Sequence, residues 1–257
     1  MDEYKEKKSI ASVHKAVKIL EVIAASRDGL GVTEISQQLD YGVSASYHLL
    51  NTLKQCGMVA QDKRTKKYYI GYTLFRLAGQ AKDQNLLGSM AMQHLNRLKE
   101  EVHETCNLSM MNGIYAICVA QSESQHMLRM FSRPGASSQF YFTASGKLLI
   151  SLQPRESWNA VIEKLSFEKY TENTILTADA LVCELEITRK RGYGIDNEER
   201  EEGVFCIAAP IFDCYGEAVA AMSISGPVHR VKERADEIAH KIILATAEFS
   251  RCIGGPQ

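Results

Sequence analysis

The stretch from Thr33 to Gly57, TEISQQLDYGVSASYHLLNTLKQCG, constrains the fold of this chain more than any other. Its apolar residues recur at helical spacing in two short runs with a glycine break between them. Ile35 and Leu39 give the first run an inward side, and Thr33 is a candidate N-cap. Asp40-Tyr41-Gly42 interrupts it, because glycine accepts the left-handed backbone of a tight turn. Ser44 is a candidate cap for the second run, in which Leu49, Leu50 and Leu53 face inward. Ser46, Tyr47, His48 and Asn51 are left for the opposite side. Two helices joined this way form either an ordinary helical hairpin or a helix-turn-helix, whose second helix enters the major groove of DNA.

The flanking chain favours the second reading. From Ser9 a helix carries Val13, Ala16, Val17, Leu20 and Ile23 on one stripe, enough to complete a three-helix core. After Gly57, Met58 to Ala60 and Tyr68 to Ile70 read as two short strands around a polar turn. That turn holds Lys63, Arg64, Lys66 and Lys67 within five residues. Such a hairpin is the wing of a winged helix, and its cations suit the phosphate backbone. The overall charge of −1 hides an asymmetry. Residues 1–80 carry 12 Lys/Arg against 8 Asp/Glu, and residues 81–257 carry 18 against 23. Attraction to DNA therefore belongs to the front of the chain, and the rear needs another role.

The rear reads as α+β. Residues 73–87 are expected to form a linker helix, followed by an amphipathic helix from Ser89 to Val102. Cys106 to Met111 and Ile114 to Ala120 flank Asn112-Gly113, a hairpin signal. Met127 to Ser132 is expected as a further strand. Thr143 to Leu152 is a helix whose start offers free amides to an anion. Ala178 to Arg191 is a helix with Leu181, Leu185 and Ile187 on its apolar side. Val204 to Phe212 and Ala218 to Ser225 form a second hairpin, and a last helix runs from about Val231 to Cys252. Ser223 and Ser225 are two apart on a strand, so both hydroxyls point to one face and need partners there. Cys206 lies on the companion strand, and Asp196 precedes the hairpin.

The seven cysteines are odd in number and show neither CxxC nor zinc spacing, as expected of buried thiols in a reducing cytoplasm. The charged start MDEYKEKKS is no signal peptide, and no apolar run is long enough to span a membrane. Neither metal nor cofactor is implied. His103, His126 and His229 fall in separate elements, which leaves Cys206 without a paired base and argues against an enzyme. A thiol switch at Cys206 or Cys214 in a DNA-binding protein is the alternative, and it requires a lowered thiol pKa.

Taken in order, the motifs SVHKAVKILEVI, SYHLLNTLKQCGMV, YYIGYTLFRL, LRMFSRPG, TASGKLL, RGYGIDNEEREEGVFCIAAPIFD and AMSISGP resemble the IclR family of bacterial transcription regulators. The resemblance implies a mobile tail over 1–8, a winged helix-turn-helix over 9–72, a linker helix over 73–87 and a GAF-like effector-binding domain with an antiparallel sheet over 88–257. It implies a double-stranded, palindromic operator and homodimers that pair into dimers of dimers. It further implies a small effector held by Ala144, Ser145, Asp196, Cys206, Ser223 and Ser225, with backbone amides at the first two suited to a carboxylate. A ligand-responsive repressor is the expected function. Relatives often carry a lysine near the start of the recognition helix and a His-Arg pair further in. Here Val43, Tyr47 and His48 stand there, so less direct base readout and greater reliance on the wing are expected.

Overall fold

The computed structural model describes residues 10–77, 86–130 and 133–256. The tail over 1–8 lies outside them, as does most of the expected linker helix; residues 72–77 are helical. The chain divides into two compact units at residues 84/85.

In the first unit, α1 (Ala11–Ala25), α2 (Val32–Leu39) and α3 (Val43–Gln55) precede a hairpin of β1 (Val59–Gln61) and β2 (Tyr68–Ile70). Ile19, Ile23, Ile35, Leu50, Leu53, Val59 and Tyr68 form the core. The apolar stripe of α1 is thus centred on Ile19 and Ile23, and Val13 and Val17 are exposed. The backbone of Leu30 pairs with Tyr68 in both directions, at 2.8 and 3.2 Å, and the Tyr69 hydroxyl donates to the Asp28 carbonyl. These bonds tie the hairpin to the α1–α2 connection.

Three expectations at the helix starts are corrected. Gly31, not Thr33, precedes α2, and the Glu34 carboxylate reaches back to accept its N–H at 2.6 Å. Gly42, not Ser44, precedes α3. Ser46 does not face outward but is fully buried. Ser46, Leu50 and Leu53 stand at i, i+4 and i+7 and share one helical face, whereas Leu49 is only half-buried.

The second unit is a six-stranded antiparallel sheet in the order β5-β4-β3-β8-β7-β6. Its strands are β3 (Thr105–Asn112), β4 (Tyr115–Ser122), β5 (Ser137–Gln139), β6 (Gly194–Asn197), β7 (Val204–Phe212) and β8 (Ala218–Pro227). Its helices are α4 (Leu86–Val102), α5 (Ala144–Ser151), α6 (Trp158–Ile162), α7 (Ala178–Arg191), α8 (Val228–Val231) and α9 (Ala235–Cys252). The last helical region is thus broken by a 3-10 turn at Lys232–Arg234. Asn112 pairs with Tyr115, so the β3–β4 turn is centred on Gly113-Ile114 rather than on Asn112-Gly113. Gly113 has φ +60°, which fits the first central position of a type II′ turn. Residues 127–130 form no strand; β5 takes that edge of the sheet instead. Ile187 on α7 is exposed.

Strand alternation separates the two faces of the sheet. Cys106, Leu108, Ile207, Ile211, Met222 and Ile224 pack under α4 and α9, against Leu95, Leu98, Ile238, Ile242 and Phe249. The other face presents Asn107, Ser109, Cys206, Ala208, Ala221, Ser223 and Ser225. There α5 lies on the sheet through Leu148 and Leu149. A second apolar layer built on Phe140, Tyr141, Phe142, Trp158, Leu181 and Leu185 buries Ile150 of the same helix. Buried Glu104 accepts from Arg230 Nε at 2.5 Å and Nη2 at 2.9 Å, joining the start of β3 to α8.

Two outcomes follow for urea unfolding. The Ser46 hydroxyl has no hydrogen-bond partner among the described residues, so Ser46→Ala is expected to hold or raise stability, by up to about 1 kcal/mol. Arg230→Ala leaves Glu104 buried without its ion-pair partner and is expected to cost about 3 kcal/mol.

Candidate effector cavity and candidate DNA interface

The small residues on the α5 face of the sheet leave a cavity of about 140 Å³. Ala144, Ser145, Asp196, Cys206, Ser223 and Ser225 all line it. Register explains how residues so far apart in sequence converge. Asp196 pairs with Cys206, Cys206 with Ser225 and Ser225 with Thr105, in one row across the sheet. In the neighbouring row Ser223 lies between Ala208 and Asn107.

The start of α5 forms the opposite wall. Thr143 caps the helix, its Oγ1 accepting from the Gly146 amide at 3.1 Å. The amides of Ala144 and Ser145 stand at the first two helical positions and have no acceptor within the helix. The hydroxyls of Ser109, Ser145 and Ser223 also line the cavity, each less than a tenth exposed, and have no hydrogen-bond partner among the described residues. Hydroxyls in that state, opening onto a cavity, favour an occupant that can bond to them.

Asp196 is buried, and its Oδ1 accepts from the Glu199 amide at 2.9 Å. Burial pushes its carboxyl up to about 6, against the pull of that amide and of Lys147. The Cys206 thiol lies beside Asp196 and Ser225. Burial, with the Asp196 charge beside it, pushes the Cys206 thiol well above its usual range. A thiol switch needs the reverse shift, so nothing at Cys206 supports the redox alternative. Cys214 is exposed and lines none of this cavity. Among the described residues no cluster of His, Cys, Asp or Glu is arranged to hold a metal.

Beneath the cavity, Lys147 of α5 is fully buried and donates to Glu199 Oε1, with Glu184 Oε1 at 3.5 Å. Arg191 Nη2 lies 3.5 Å from the same Glu184 oxygen. Glu199 Oε2 is buried with no hydrogen-bond partner, and burial pushes the Glu199 carboxyl up to about 7.

Several of these residues escaped the sequence reading. Asn107 and Ser109 alternate with Cys106 and Leu108 along β3, the same period-two signature that marked Ser223 and Ser225. Lys147 is a lone cation in an otherwise apolar helix, which is the mark of a buried ion pair. Arg200 sits in an acidic run that reads as solvated surface, yet it lines the cavity rim with its guanidinium 3.7 Å from the Tyr170 ring centre.

In the first unit, Val43, Ser44, Tyr47 and His48 are exposed along α3, Asn51 is half-buried, and Thr33 is exposed near the start of α2. Ser46 is removed from this surface by its burial. Asp62 organises the hairpin tip. Its carboxylate accepts from the Arg64 and Thr65 amides and the Thr65 hydroxyl, at 2.9, 2.6 and 2.9 Å. Lys63, Arg64 and Lys66 are exposed and Lys67 half-buried, and none forms a salt bridge with the described residues.

A helix-turn-helix unit with a basic hairpin, followed by a sheet domain with a cavity lined by both apolar and polar side chains, defines a ligand-responsive transcription regulator. Residues 12–63 match the IclR helix-turn-helix domain and residues 80–251 the bacterial transcriptional regulator IclR C-terminal domain. The chain is 35% identical to the HTH-type transcriptional regulator KdgR of Escherichia coli K12, over 97% of this chain and 95% of that one. It is 31% identical to the transcriptional repressor IclR of the same organism, over 96% and 91%. The crystal structure of Thermotoga maritima IclR superposes with a TM-score of 0.68 at 31% identity, covering 96% of this chain and all of that one. The chain belongs to the IclR family of transcription regulators, whose members bind operator DNA through the helix-turn-helix and are not enzymes. Among the described residues no helix is long and apolar enough to cross a membrane.

The buried acid beneath the cavity predicts a pH dependence. The Glu199 carboxyl binds its proton more tightly in the folded chain than at its ordinary value of 4.5. The native state therefore holds more protons than the unfolded chain between about pH 4.5 and 7, and this contribution to stability is lost as pH rises through that window. Glu199→Gln has no such proton to lose. Urea melts at pH 5, 6 and 7 are expected to show wild type losing stability relative to Glu199→Gln.

Proposed function

We propose that this chain is a repressor that holds its operator through α3 and the β1–β2 hairpin, and that a small, polar, carboxylate-bearing metabolite in the cavity shifts that binding. One observation carries the reading. One cavity gathers the free amides of Ala144 and Ser145 with the hydroxyls of Ser145 and Ser223, unpaired among the described residues. The amides suit a carboxylate, and the hydroxyls with Asp196 suit the rest of a polar molecule. Occupancy can alter operator binding only if the ligand prefers one of two arrangements of the regulator, which is a coupling between distinct sites. A twofold dimer would read a palindrome, with half-sites spaced by the helical repeat.

The exposed face of α3 offers Tyr47 and His48 where a bidentate arginine would read guanine. Operator affinity then leans on the hairpin cations. In salt titrations of operator binding, the combined change of Lys63, Arg64, Lys66 and Lys67 to Ala is expected to weaken binding to every duplex. It should also flatten the log K against log salt slope by about 1 for each phosphate left without its cation. Unchanged affinity and slope would remove the hairpin from the interface. For the cavity, thermal-shift measurements with small organic acids should give a stabilising ligand. Ser223→Ala and Ser225→Ala are each expected to lower its affinity several-fold, by about 1 kcal/mol. Unaltered affinity in both variants would place the ligand elsewhere.

A further inference from the structure

The cavity that suits a carboxylate already contains one. Strand β6 is pressed against the start of α5: a Cβ added to Gly194 would lie 2.1 Å from the Ala144 carbonyl oxygen. Asp196 is two residues further along β6, on the same face of the strand and equally buried. A carboxylate bound to the Ala144 and Ser145 amides therefore shares about 140 Å³ with Asp196. Two ionised carboxylates this close, one of them the buried Asp196, repel strongly, and one of them takes up a proton.

The charges around Asp196 are mostly engaged elsewhere. Lys147, from α5, is committed to Glu199 and Glu184. Glu198 and Glu199, on the loop after β6, are acidic themselves. From β7, Cys206 offers only a neutral thiol. On the rim, the Arg200 guanidinium rests on the rings of Tyr170 and Phe142, and Glu201 lines the same rim. We propose that Asp196 receives one proton when the effector binds and then serves as a hydrogen-bond donor to it, so the site takes an acid that also carries an acceptor for that proton. This rests on the carboxylate reading of the cavity given above. The ligand keeps its charge because two helix-start amides face it, while Asp196 is desolvated and has one oxygen held by the Glu199 amide. Burial has already moved the Asp196 carboxyl to about 6, so the proton comes from solvent at neutral pH.

The test uses the full chain and two pairs of acids of matched length, lactate with propionate and gluconate with hexanoate. The acid giving the largest thermal shift is titrated calorimetrically at pH 6, 7 and 8, in phosphate and in Tris. Affinity is expected to fall about tenfold from pH 7 to pH 8, and less from pH 6 to pH 7. The heat difference between buffers should correspond to uptake of about one proton at pH 8. The hydroxy acid of each pair should bind more tightly than its partner. Asp196→Asn, which keeps a donor but cannot titrate, should bind with no pH dependence and no proton uptake, and Glu199→Gln should retain both. Flat affinity with no proton uptake by wild type overturns the inference and leaves the effector reading standing. So does a pH dependence abolished by Glu199→Gln. The wild-type titration decides the matter even if Asp196→Asn fails to fold. If no acid of the panel binds, the carboxylate reading falls, and this inference with it.

Discussion

The close approach of α5 to the sheet sets the character of the second unit. A helix can lie against a pleated surface at that distance only where the strand residues beneath it are small. Ala208, Ala221 and Gly194 meet this condition under the body and start of the helix, where Leu148 and Leu149 fill the interface. Towards the N-terminus of α5 the strand residues stay small but become polar, with Asn107, Ser109, Cys206, Ser223 and Ser225. None is long enough to reach the helix. The cavity is the space left by that choice of side chains, and its polarity comes from the same residues.

The same packing explains the ion pair beneath the cavity. With apolar layers on both sides, α5 has no solvent face, yet it carries Lys147. Glu199 and Glu184 reach the lysine from two other segments and pair with it there. Glu199 follows Asp196 by three residues and donates its amide to it. The helix that supplies free amides to the cavity is thus fastened, through Lys147, to the loop that positions the cavity's own acid.

Legibility in the sequence followed the strength of local periodicity. The β7 and β8 strands, α7 and the helix-turn-helix could be read because their apolar spacing is long or a glycine marks where a helix breaks. Ser223 and Ser225 were legible as a cavity face because two hydroxyls alternate with buried apolar residues. The same signal in Asn107 and Ser109 was present but lay inside a hairpin whose turn drew the attention. Ser46 was misplaced because serine reads as polar, whereas its position is dictated by Leu50 and Leu53 on the same face. Residues 127–130 looked like a strand from composition, but the sheet edge was taken by Ser137–Gln139 through pairing with β4, which no local pattern reveals. Arg200 and the Lys147–Glu199 pair depend on interactions between segments distant in sequence.

The account stands on the start of α5 acting as the carboxylate-binding wall of the cavity. The most direct measurement is an amide NMR titration of the chain labelled with 15N at alanine and serine, using the acid that stabilises it most. The account predicts that the Ala144 and Ser145 amide protons move downfield together as the site fills, because each gains a charged acceptor. Saturation with the acid while both amides stay in place, with shifts confined to other residues, would contradict it.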